Sequence, residues 1–269
     1  MPSESTDGSA MRINKTVVSV FMVLALAAQA DAQTRKPQPP AKPRRPFVEH
    51  GFVSLGAGAQ LAPGELSDRA VFEANAESGS FDADYAGTTG LAVDGTVGVR
   101  VRRQLGIAIG VSRATRSDTA SVSANIPHPF FDDRHRSVQG QAADMSRTET
   151  AAHLQIYYDL RPRGAWRIRI FGGPSYFDVE QGLITEVHAV EEFPFDTAAF
   201  DRITRSRAHG SALGFNGGVD VVRMFTRRVG AGALIRYAGA KIDLNAPASR
   251  SVSTDAGGFQ AGAWLRVLF

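Results

Sequence analysis

From residue 50 onward, apolar side chains recur at every second position, which is the period of a β-strand and not of a helix. Eight segments carry the pattern. In 52–61, Val53, Leu55, Ala57, Ala59 and Leu61 alternate with Phe52, Ser54, Gly56, Gly58 and Gln60. In 91–101, Leu91, Val93, Val97, Val99 and Val101 oppose Ala92, Asp94, Thr96, Gly98 and Arg100. In 105–112, Leu105, Ile107, Ile109 and Val111 oppose Gly106, Ala108, Gly110 and Ser112. The same alternation runs through 152–160, 166–176, 213–225, 229–240 and 259–269. An all-β chain follows.

One face of each segment is uniformly apolar, and the other mixes glycine with charge. A soluble sandwich would turn the second face to water, where long side chains usually dominate. Glycine and small residues beside Arg and Asp fit a tight interior instead. The inverted arrangement puts the apolar face in lipid and the polar face inside a closed ring, because lipid offers an open sheet edge no partner. Each segment supplies the roughly 9–11 residues of a tilted spanning strand. Short turns at 102–104, 161–164 and 226–228 alternate with long polar connections near 62–87, 113–150, 178–208 and 241–255, read here as loops. Alternating short and long connections, with aromatics at the segment ends, predict an eight-stranded antiparallel up-and-down transmembrane β-barrel over 48–269.

The chain start is an address. Arg12 and Lys15 precede an apolar run from Val17 to Ala28, and Ala30-Asp31-Ala32 follows as a small-residue cleavage site. This predicts a secretory signal peptide over 1–32, with Met11 as an alternative start. The run is shorter than the roughly 20 residues of a spanning helix. Residues 33–47 (QTRKPQPPAKPRRPF) read as a Pro-rich basic periplasmic linker. It carries the surplus behind the net charge of +3, so the remainder is near neutral and no nucleic-acid partner is expected. A hydrophobic content of 43% excludes wholesale disorder, and the absence of cysteine excludes disulfides and thiolate metal sites.

The last strand, Phe259 to Phe269, ends in Phe with Leu265 and Val267 on the same face. It resembles the C-terminal assembly signal of Gram-negative outer-membrane barrels. With the leader and eight strands, the chain resembles the small outer-membrane β-barrel proteins of the OmpA, OmpX and OmpW type. The resemblance implies an outer-membrane location, lipid and lipopolysaccharide as surroundings, the barrel assembly machinery and periplasmic chaperones as partners, and a monomer. The peptidoglycan-binding domain of the OmpA type has no counterpart here, so wall anchoring is not implied.

An eight-stranded barrel is just wide enough for side chains to fill. The inward parity holds Asp94, Asp159 and Asp220 against Arg100, Arg167, Arg169, Arg236 and Arg266, with His153, Gln155, Asn216 and Gln260. A paired ionic network plugging the lumen is expected, since buried charges require partners; a narrow passive pore for small solutes is the alternative. His209 and Ser211 share the outward parity of Leu213 and Phe215. An outward His-x-Ser pair resembles the lipid A deacylases, in which a carboxylate orients the His and Ser is the nucleophile. The sequence departs from that pattern: position 223 is Arg, and the following strand to Ala240 carries no Asp or Glu. The pair is therefore read as ordinary polar residues, and an esterase as the lesser alternative. Pro127–Asp133 and Glu191–Asp196 each combine aromatics, proline and acid, and are expected to pack together over the mouth. No metal or cofactor is expected. The function read from the sequence is a non-enzymatic outer-membrane barrel with a structural or surface-interaction role.

Overall fold

A computed structural model describes residues 49–160, 164–246 and 250–269. The expected leader, the linker through Phe47 and turn residues 161–163 lie outside the described residues.

The strands are β1 (Gly51–Gln60), β2 (Leu66–Ala74), β3 (Glu77–Ala86), β4 (Gly90–Arg102), β5 (Leu105–Pro127), β6 (His135–Asp159), β7 (Trp166–Glu191), β8 (Ala198–Met224), β9 (Val229–Ala246) and β10 (Arg250–Leu268). Neighbours pair antiparallel in the order β4-β1-β10-β9-β8-β7-β6-β5, and β5 pairs back onto β4, closing a ring of eight. The ends of the ring meet where Phe269 N donates to Gly51 O and Phe52 lies opposite Leu268. β2 and β3 form a hairpin outside the ring's order, and β3 adds to the upper part of β5 through Ala86↔Thr119 and Ser80↔Asn125.

Inside-out burial marks the lower part of the ring. Leu55, Leu91, Val97, Ile109, Ile156, Leu213, Ile235 and Leu265 are exposed, while Asp94, Arg169, Asp220, Arg236 and Arg266 are buried. Inward glycines make room for large rings. A Cβ at Gly106 would meet the Tyr157 ring at 2.2 Å, one at Gly98 the Phe52 ring at 2.2 Å, and one at Gly56 the Trp264 ring at 2.5 Å. The glycine-rich polar face is therefore a packing requirement.

Above this belt the structure corrects the sequence reading. Most of 113–150, 178–208 and 241–255 is not loop. β5 to β8 run on for 23, 25, 26 and 27 residues, well past the lipid-spanning length. The facing of each residue stays constant but the chemistry exchanges. On β5, odd positions are Ile107, Ile109 and Val111 below and Ser117, Ser121 and Asn125 above, all exposed; even positions are Gly110 and Ser112 below and Val122, Ala124 and Ile126 above, all buried. The upper half is thus an ordinary water-facing β structure around an apolar core. That core holds Leu66, Phe81 and Tyr85 of the hairpin with Val122, Val138, Val179, Leu183, Ile184, Ile242 and Leu244. The 62–87 connection, read as a loop, is the hairpin that fills it. At the junction β10 passes through Gly257 (φ 94°) and Gly258 (φ 110°), a backbone geometry that disfavours side chains.

Candidate functional site

The interior candidates come together in stacked layers. Around the mid-barrel, Arg236 Nη1 donates to Asp94 Oδ2 at 2.8 Å and its other terminal nitrogen to Gln260. Thr96 Oγ1 donates to Asp94 Oδ1 at 3.1 Å, and Trp264 Nε1 to the same oxygen at 3.4 Å. Arg266 grips Asp220 with both terminal nitrogens, at 2.9 and 2.8 Å, and donates Nε to Ser54 at 2.8 Å. Such two-pronged pairs are short and directional, and they repay burial only when the remaining donors are also met.

The short-turn end of the ring holds the second layer. Arg169 donates Nε and Nη2 to Asp159 at 2.6 and 3.1 Å, and its guanidinium lies 3.9 Å from the ring centres of both Phe52 and Tyr157. Arg100 reaches Asp159 at 3.0 Å and Glu49 at 2.8 Å; Arg167 reaches Glu49 at 3.2 Å. Each of the eight predicted network residues therefore has a charged partner inside the ring.

Sequence reasoning missed the third layer, at the top of the belt. Arg147 Nε donates to Glu149 Oε1 at 2.7 Å and Arg116 Nε to Asp118 Oδ2 at 3.2 Å. Gln60 Nε2 and the Gly257 backbone N–H both donate to Glu149 Oε2 at 2.9 Å. Glu49 was missed as well, because it stands before the first alternating segment. The signal for the third layer was parity: Arg116 and Asp118 continue the inward series of Gly110 and Ser112, and Arg147 and Glu149 that of His153 and Gln155. Between the layers, the His153 ring sits between Ser112 at 2.9 Å and Ser175 at 2.8 Å, and Asn216 links Ser175 to Gln155. The void left among Ser54, Gln155, Arg169, Asp220 and Arg236 is about 20 Å³, room for about one water.

His209 and Ser211 are exposed on the outer face, just above Leu213 and Phe215. Strand register places Glu180 opposite His209 and Asp178 opposite Ser211, with Asn245 on the other flank of His209. Glu180 pairs with Arg207 at 3.0 Å. Neither His209 nor Ser211 makes a side-chain hydrogen bond to a described residue.

The two aromatic-acidic pieces meet at the far end. The Phe130 and Phe195 rings are 5.4 Å apart, Arg134 pairs with Asp196 at 2.9 Å, and Arg136 bonds the Phe195 carbonyl at 3.1 Å. Near the hairpin, Arg250 pairs with Asp68 at 2.9 Å and bonds the Ile184 carbonyl at 3.2 Å. Burial raises the Asp68 carboxyl above its ordinary range, and Arg250 offsets only part of that. The predicted assembly residues Phe259, Leu265 and Val267 lie exposed on the outer face of β10, and Phe269, one residue past its end, is exposed as well.

A closed antiparallel ring of eight strands, apolar outside and ionic inside over a membrane-spanning height, defines a transmembrane β-barrel of the small outer-membrane type. Solved structures of outer-membrane proteins are similar to it at low identity. OprG from Pseudomonas aeruginosa matches with 11% identity and a TM-score of 0.46 over 82% of this chain and 97% of its own. Neisserial surface protein A matches with 14% identity and a TM-score of 0.37, covering 81% and 97%. The outer membrane protease OmpT from Escherichia coli matches with 8% identity and a TM-score of 0.39, covering 83% and 97%. These likenesses are to the fold alone. No protein-family model and no curated protein matches the sequence.

Proposed function

We propose that this chain is a non-enzymatic outer-membrane protein, exported through the signal peptide at 1–32, whose barrel is closed to solutes and carries a folded β structure on the cell surface. The observation that supports this best is the stack of three ionic layers, with small voids among them of about 20 and 10 Å³. In a narrow barrel, buried charges that are paired across the lumen leave no continuous water path. Phe259, Leu265, Val267 and Phe269 act in this reading as the assembly signal, and the barrel works as a monomer among lipid and lipopolysaccharide. Planar-bilayer recording tests the closed lumen. The expected trace is flat apart from rare brief openings; large steady conductance would support the passive-pore alternative instead.

A second reading rests on one observation. Glu180 lies in register with His209, so the neighbouring strand supplies the carboxylate that the sequence alone lacked. Directly opposite residues in an antiparallel pair are roughly 4.5–5.5 Å apart, within reach of a His-carboxylate contact. In this reading Ser211 is the nucleophile, His209 the base and Glu180 its orienting group, acting on an acyl ester of a membrane lipid. Glu180 is already held by Arg207, which favours the non-enzymatic reading. Acyl release from purified lipopolysaccharide that Ser211→Ala abolishes would establish the hydrolase; no release discards it.

A further inference from the structure

The upper outer face carries a ladder of polar side chains. Register aligns Ser67, Asp84, Ser121 and Gln141 in one row across β2, β3, β5 and β6. The next row aligns Arg69, Asp82, Ser123 and Gln139. Asp84, Ser121, Ser123, Gln139 and Gln141 line an open groove of about 410 Å³, which Val122 and Gly140 complete.

Three features define what the groove fits. The first is unused hydrogen-bonding capacity. Ser121, Ser123, Gln139 and Gln141 make no side-chain hydrogen bond to described residues, and Asp84 uses only Oδ1, accepting from Ser67 at 2.6 Å. Each amide offers two donors and an acceptor, and each hydroxyl offers both roles. The second is rigidity. β5 is hydrogen-bonded to β3 and β6 through this stretch, so the array is preorganised and no backbone edge of β5 is open to an added strand. The third is charge. Asp84 is the one charged side chain of the lining, and neighbouring Asp82 is paired with Arg69 at 3.7 Å, so the lining holds no cation that would draw an anion.

We propose that this groove is a binding site for a neutral polysaccharide chain. Paired hydroxyls of a sugar match the amide, hydroxyl and carboxylate groups, while a phosphorylated or sulfated glycan meets the Asp84 carboxylate and no cation in the lining. The site's position outside the cell rests on the surface-display reading above; the binding chemistry does not.

The test uses the full chain folded in detergent micelles, probed with neutral oligosaccharides (dextran, mannan and galactan oligomers) and an acidic one (a polygalacturonate oligomer). Binding of at least one neutral oligomer is expected. Gln141→Ala and Asp84→Ala should each weaken it about tenfold, the loss of one hydrogen bond to an uncharged or charged group. Glu192→Ala, at the far loop tip, should leave it unchanged. All three positions are exposed, and a heat-dependent gel shift verifies that each variant is folded. No neutral binding at millimolar oligomer, preference for the acidic oligomer, or indifference to both groove variants would overturn the site. Ser123→Cys probed on intact cells with a membrane-impermeant maleimide reads display separately. Binding without labelling would overturn surface display and leave the site standing.

Discussion

At the residue scale, the same amino acid has opposite consequences in the two halves of the barrel. Val97 and Ile235 are 50% and 62% exposed, yet in lipid that exposure is favourable burial. Lys at either position should cost about 2–4 kcal/mol near the mid-plane. Urea unfolding from lipid vesicles checks this, and no change at both sites would count against lipid contact. Above the membrane, Asp68 and Arg250 are not equivalent partners. Burial raises the Asp68 carboxyl more than Arg250 lowers it. Its folded-state value lies above the unfolded one, so its contribution is fully present in acid and is lost as pH rises through the raised value. Asp68→Asn should therefore leave neutral-pH stability unchanged or higher, since Arg250 keeps its bond to the Ile184 carbonyl and partial access to water. Arg250→Ala strands a buried carboxylate and should lose about 1–3 kcal/mol. Thermal unfolding of the two variants at pH 5 and pH 8 distinguishes them; equal losses would contradict the asymmetry.

At the scale of elements, the β2–β3 hairpin is the piece most specific to this chain. Phe81 and Tyr85 are 1% exposed, and the Tyr85 hydroxyl accepts from the Ile184 backbone N–H at 2.9 Å. Replacing 64–87 with a short Gly-Ser link should leave the membrane ring assembled, because β1 pairs directly with β4. It should uncover the upper apolar core, seen as new binding of an apolar dye and faster proteolysis of the upper strands. An unchanged protease pattern would show that the hairpin does not close that core. The hairpin also shows where sequence reading stopped. The lower ring was legible because lipid demands an unbroken apolar series such as Leu105, Ile107, Ile109 and Val111. The upper strands alternate just as regularly, as in Ser117, Thr119, Ser121 and Ser123 against Ala120, Val122 and Ala124. Their small, weakly apolar inward residues and polar outward ones resemble loop composition, and the chemistry changes sides at the membrane boundary. A search for one constant greasy face therefore ends near residues 112, 152, 176, 213 and 240. Asp94, Asp220, Arg236 and Arg266 were legible through inward parity alone. Their partner choice was not, because it depends on register between strands far apart in sequence.

At the scale of the whole molecule, one ring combines two solvents. Below, lipid covers the apolar face and ion pairs lie inside the ring; above, water covers the polar face and the interior is an apolar core. The crossing point sets the height at which the chain sits in its membrane and places the aromatic loop tips and the polar groove well outside it. The chain has no native cysteine, so single cysteines can be placed anywhere without background. The most direct test puts a nitroxide label at odd positions along β5, from Ile107 through Ser123, in lipid vesicles. Contact with oxygen dissolved in lipid is predicted at 107, 109 and 111. Contact with a water-soluble nickel chelate is predicted at 117, 121 and 123, with the exchange near 113. Access of the chelate to 107–111, or lipid contact continuing through 123, would contradict the two-solvent barrel.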